Sequence, residues 1–141
     1  MDIDAHLGAL HLHIDVRITH PTSTSYMRTA MKPLGAAKQA EKEKKRKHEK
    51  NAEKVGAIFV PYVIETFGGI APEAQTLNKK IATFAEEHSI TENREDFQNK
   101  LKSEIAAAIQ YANFRVSTKA IQQSRVALKI PDQNQGIDEV L

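Results

Sequence analysis

The chain has no cysteine and no tryptophan, and aromatic residues make up only 6% of its 141 positions. Without cysteine there can be no disulfide, thiolate metal site or cysteine nucleophile, and an intracellular location is the default expectation. No apolar run approaches the ~20 residues that a membrane-spanning helix needs. The N-terminus also lacks a basic stretch followed by an apolar one, so the sequence reads as soluble, with no membrane partner. A net charge of +2 does not by itself point to nucleic acid, and the placement of the charges matters more. With 40% hydrophobic and 27% charged residues, the composition is that of a globular domain with a modest core.

What is present is concentrated first at the N-terminus. Between Leu10 and Ile18 the residues Leu10, Leu12, Ile14, Val16 and Ile18 share one parity, and His11, His13, Asp15, Arg17 and Thr19 the other. That is the period-2 pattern of a strand. Gly8 stands where a two-residue turn needs positive φ. A Gly8-Ala9 turn pairs Leu7 with Leu10, His6 with His11, Asp4 with His13 and Asp2 with Asp15. In that register Asp2, Asp4, His6, His11, His13, Asp15 and Arg17 form one polar surface, and two carboxylates from neighbouring strands converge.

Beyond Thr19 the run from His20 to Ser25 favours turns, because Pro21 removes a donor and the hydroxyl residues compete for backbone partners. A helix is expected from about Ser25 or Tyr26, kinked or split at Pro33 and Gly35 before a second helix over 36–54. This second segment carries eight basic residues against four acids, and Lys42, Lys44, Lys45, Arg46, Lys47 and His48 are its candidates for contacting phosphates. A solvated helix with i,i+4 ion pairs is the plainer reading, and a nuclear-import signal a third. Gly56 suits a helix stop. Residues 57–67 read as a strand buried on both faces, with Pro61 assigning it to an edge or a bulge and Glu65 capping its exit. Pro72 opens a helix to about His88 with Ala74, Leu77, Ile81, Phe84 and Ala85 inward. A longer helix follows from Thr91 to about Leu128, with a buried stripe through Phe97, Leu101, Ile105, Ala108, Ile109, Ala112 and Val116. The expected fold is α+β (α/β): a β-hairpin, then a helix, then a strand, followed by two C-terminal helices. Residues 1–130 form the domain and 131–141 a loose tail.

Paired acids a dozen positions apart, with a base two residues after the second, match the needs of metal-assisted phosphodiester hydrolysis. Carboxylate oxygens hold Mg2+ (or Mn2+), and a neighbouring cation stabilises the developing charge. On this reading Asp2 and Asp15 are the metal ligands and Arg17 the cation. The histidines offer a rival, since His11 and His13 on one strand with His6 and Asp4 across from them carry zinc-type donors. Solvent-facing or DNA-contacting roles are the stronger reading for them, and zinc is not expected.

Asp2, twelve intervening residues and Asp15-Val16-Arg17 resemble the PD-(D/E)xK restriction-endonuclease-like superfamily. Ile14-Asp-Val-Arg-Ile-Thr-His-Pro-Thr-Ser23, Glu41-Lys-Glu-Lys-Lys-Arg-Lys-His48 and Phe59-Val-Pro-Tyr-Val-Ile-Glu-Thr-Phe-Gly68 resemble the endonuclease-like region downstream of the reverse transcriptase in some retroelement polyproteins, non-LTR retrotransposons among them. The similarity runs from Asp2 to about Arg125. It implies a Mg-dependent DNA endonuclease with a restriction-endonuclease-like core, and a chain that begins after the family's first helix and strand. The family's third motif residue is usually lysine, where this chain has Arg17. The resemblance makes Lys44 and Lys47 on the following helix the candidates to take that place, with His48 where the family often has tyrosine. The alternative is a non-catalytic nucleic-acid-binding module on a degenerate nuclease fold.

Overall fold

The computed structural model describes residues 3–128. Asp2, the expected first metal ligand, and the tail over 131–141 lie outside the described residues. The order of elements is β1 (Ile3–Leu7), β2 (Leu10–Thr19), α1 (Gly35–Glu53), β3 (Ile58–Glu65), α2 (Pro72–Glu87) and α3 (Arg94–Ala127). This is an α+β arrangement built on one mixed three-stranded sheet of order β1-β2-β3. No helix among the described residues is long and apolar enough to cross a membrane.

The hairpin takes the register that its turn chemistry dictates. Gly8 has φ +60°, and β1 runs antiparallel to β2 with Leu7 opposite Leu10, His6 opposite His11 and Asp4 opposite His13. β3 joins β2 in parallel, Asp15 standing opposite Pro61 and Arg17 opposite Val63. Val63 and Glu65 turn their backbone polar groups outward, accepting from Ala71 and donating to Gly69. Pro61 shares their parity, so its missing N–H falls on the outer edge and leaves the β2–β3 ladder whole.

A helix packs on each face of the sheet, although Val16 and Ile18 at the far end of the apolar face are 39% and 49% exposed. Leu12, Ile14, Val60, Leu77, Tyr62 and Ile81 form the apolar layer between the sheet and α2. On the opposite face Val63 packs with Ala36, Ala37 and Ala40 of α1, together with Tyr26 and Ala71. The polar parity of β2 therefore lies beneath a helix, and Asp15 and Thr19 are each only 3% exposed. The thin apolar stripe of α1 is an alanine stripe, whose small side chains let helix and sheet approach closely. Along the same helical line, at steps of four, the alanines give way to Lys44 and His48. α1 ends as Gly56 predicts: Gly56, at φ +71°, donates to the Glu53 carbonyl and Ala57 to that of Ala52, the paired bonds of a Schellman stop.

Two expectations fail. Residues 21–34 form successive turns instead of a helix, because Thr22 to Ser25 compete for the backbone and Pro33 bars α geometry just before it. Leu34 adopts φ +56° and begins α1 instead. The stripe predicted along α3 is only partly buried: among its described residues Ile109 alone is buried, and Val116 is 70% exposed. Apolar spacing marks a face but does not supply the element that covers it.

The chain divides into two compact units, Met1–Ala106 and Ala107–Leu141. The sheet, α1 and α2 belong to the first. In the second, the helix exposes Tyr111, Phe114, Val116, Ile121 and Val126.

Candidate active site

The site is built where the alanine half of α1 gives way to its basic half above β2. Lys44 reaches down to the sheet, and its Nζ donates to Oδ2 of Asp15 at 2.6 Å. The Nε2 of His48, one turn further on, stands 3.9 Å from the same oxygen, and its ring lies beside that of Phe59. A carboxylate so enclosed needs a cation at this distance, because a buried charge without one costs several kcal/mol, on the order of the 3–5 kcal/mol lost when a buried pair is broken.

Arg17, two residues along β2, does not serve as that cation. Its guanidinium donates to Glu43 Oε2 at 3.3 Å and to the Tyr26 hydroxyl, and its Cζ lies 5.7 Å from the Tyr26 ring centre. Tyr26 in turn donates to Glu43 Oε2 at 3.3 Å, and Gln39 donates to Glu43 Oε1 at 3.1 Å. The cation beside the acid is thus Lys44, the helix lysine.

Above the pair an open cleft of about 630 Å3 is lined by Arg17, Glu43, Lys44, Arg46, Lys47 and His48. The basic segment is divided by its helical phase. Arg46 and Lys47 are exposed and Lys44 and His48 half-buried. Lys45 lies on another flank and pairs with Glu73 of α2, while Lys42 is exposed and outside the cleft lining. Lys44, Arg46, Lys47 and His48 are therefore brought together, and Lys42 and Lys45 are not.

Glu65 caps α1: its Oε1 accepts the Ala37 N–H at 3.2 Å. Glu41, expected as an exposed partner of Lys45, is instead buried and does the same for α2, accepting the Glu73 N–H at 2.8 Å. Burial raises the Glu41 carboxyl above its ordinary value, and the Glu73 N–H opposes that rise as the next largest influence. The sequence does not point to Tyr26 and Gln39 as site residues, and Glu43, expected opposite Lys47 on an exposed face, pairs with Arg17 instead. Their common signal is spacing, since Gln39 and Glu43 are one turn apart on the edge of α1 that faces the turns over 21–34.

Mg2+ takes one or two carboxylates, retains several waters and completes its shell with substrate phosphates. Asp15 supplies a carboxylate of this kind next to a cation-lined cleft, so the donor chemistry fits. At the hairpin tip a second group converges. Asp4 Oδ1 lies 2.7 Å from His11 Nε2 and Asp4 Oδ2 lies 3.5 Å from His13 Nε2. The rings of His6 and His11 stack at 4.7 Å between centres. The hydrogen bond from His11 holds the Asp4 carboxyl below its ordinary value.

No family model matches the chain, and neither the curated proteins nor the solved structures contain a match to it.

Proposed function

We propose that the protein is a Mg-dependent DNA endonuclease domain of the restriction-endonuclease-like type, with Asp15 and Lys44 at its centre. The observation that carries this reading is the 2.6 Å Lys44–Asp15 contact joined to a cleft lined by Arg17, Lys44, Arg46, Lys47 and His48. Further support comes from topology: a hairpin, a helix and a strand parallel to the hairpin's second strand is the order that the sequence resemblance implies.

In this reading Arg46 and Lys47 seat the DNA backbone by neutralising phosphates. Lys44 stands at the acid, positioned to bind the scissile phosphate and stabilise charge developing on its oxygens. Arg17, held by Glu43 and Tyr26, gives the cleft a fixed positive wall. Asp15 and Asp2 would hold Mg2+, which when bound would supply charge neutralisation and lower the pKa of a bound water.

Nicking of supercoiled plasmid by the full chain with Mg2+ or Mn2+ tests the proposal. Asp15→Asn should abolish nicking while preserving the fold, and equal activity in that variant overturns the assignment. The second reading, a nucleic-acid-binding module without catalysis, rests on the exposed Arg46 and Lys47 of the cleft alone, which can seat phosphates without a metal. Salt-sensitive DNA binding, indifferent to Mg2+ and without cleavage, would establish it.

A further inference from the structure

The hairpin tip carries a separate group of donors that phosphodiester chemistry does not use. From the geometry of this group we infer that Asp4, His6, His11 and His13 form a binding site for a divalent transition-metal ion of the zinc class. On sequence alone the group ranks below solvent-facing histidines, because alternate spacing shows only that the residues share a face. The side-chain geometry reverses that order.

Three observations carry the inference. The register sets His6 directly opposite His11 and Asp4 directly opposite His13, so four potential ligands occupy the corners of one small patch, two from each strand. One ligand atom from each of Asp4, His6 and His11 lies within 4.8 Å of the others. The Asp4 carboxylate already bridges the strands, with one oxygen 2.7 Å from His11 Nε2 and the other 3.5 Å from His13 Nε2. A tetrahedral ion bound at about 2.0–2.1 Å sets neighbouring donors about 3.3 Å apart. The two Asp4–His spacings bracket that value, and Asp4, His6 and His11 already stand within reach of one ion, with His13 beside Asp4 as the fourth candidate ligand.

The donor set determines the class of ion. Three imidazoles and one carboxylate suit Zn2+, with Co2+, Ni2+ and Cu2+ as chemical relatives, and disfavour Mg2+, which demands oxygen ligands. The frame is also suitable: β1 has five residues and pairs only with β2. An ion held from both strands would cross-link the hairpin at its otherwise weakest element.

Co2+ is the spectroscopic probe, because tetrahedral coordination by nitrogen and oxygen gives intense visible bands that octahedral aqueous Co2+ lacks. Titrating the full chain with Co2+ should produce those bands with one equivalent, Zn2+ should bleach them, and excess Mg2+ should leave them unchanged. His6→Asn/His11→Asn should abolish the bands, and Asp4→Asn should weaken binding while keeping the hairpin. Asp15→Asn should leave the bands intact, which separates this site from the proposed nuclease centre. Absence of tetrahedral bands in the native chain, or bands of equal intensity in His6→Asn/His11→Asn, overturns the inference.

Discussion

Lys44 and Asp15, twenty-nine positions apart in sequence, meet at 2.6 Å between α1 and the middle strand, and the acid retains 3% of its exposure. Removing one member of such a pair takes away the other's shortest charged contact. Lys44→Met should therefore destabilise the fold by about 2–3 kcal/mol, below the range for fully buried pairs because water reaches the lysine side. Asp15→Asn should cost less, and the double variant Asp15→Asn/Lys44→Met should recover part of the loss. Urea unfolding of all four proteins in a double-mutant cycle measures the coupling.

The cleft cations should behave differently. Lys47 is exposed on α1, so Lys47→Glu should leave the unfolding midpoint unchanged while weakening DNA binding and lowering the salt slope by about one phosphate contact or more. Lys45→Glu places an acid against Glu73 and should reduce stability with less effect on DNA. Fluorescence anisotropy over a salt series, beside thermal melts, distinguishes the two.

Glu41 sets a pH dependence of calculable sign. Its carboxyl is raised in the folded protein, first by burial, from an ordinary value of 4.5. The folded state therefore holds the proton more tightly than the unfolded one. Its contribution is complete below about pH 4.5 and is lost as pH rises through the folded value. Glu41→Gln removes that titration and still offers an oxygen to the Glu73 N–H, so its stability relative to the native chain should rise from pH 4 to pH 7. Glu41→Ala removes both the cap and the titration, so it should cost about 1 kcal/mol at pH 4 and less at pH 7. Chemical denaturation at both pH values provides the measurement.

Gly35 is the tightest point between the turns and α1. A Cβ there would stand 1.7 Å from the Thr29 carbonyl oxygen, a backbone atom that cannot rotate away. Gly35→Ala should cost at least about 3 kcal/mol, visible as a drop in Tm of roughly 10 °C or more.

Those residues also mark what could be read from the chain beforehand. From Ile3 to Leu10 the hairpin register is legible in the sequence, because Gly8 and the alternation from Leu10 onward act within a few residues of each other. The Gly56 stop and the Pro72 start were legible for the same local reason. What covers a surface is a long-range matter. Alternation in β2 separated a polar face from an apolar one, but nothing local indicated that Ala36, Ala37 and Ala40 would press α1 onto the polar side. Enclosure of Asp15 by Lys44 follows from that packing, as does the division of the basic residues between cleft and flank. In α3 the converse holds: the spacing is regular, yet Val116 and Phe114 stay exposed.

Pro61 has a consequence for how copies of this molecule meet. β3 is an outer strand, the place where an unpaired row of amides invites another chain to add itself and begin a growing ribbon. A proline whose absent N–H faces outward interrupts that row, and the bridge between Ile64 and Ile70 covers the stretch next to it. Pro61 is itself fully buried, so the edge is closed at that point and no second chain can reach it. Pro61→Val would place an N–H there without a partner, and the expected result is a loss of about 1–3 kcal/mol of stability in urea unfolding while the scattering mass stays that of the native chain.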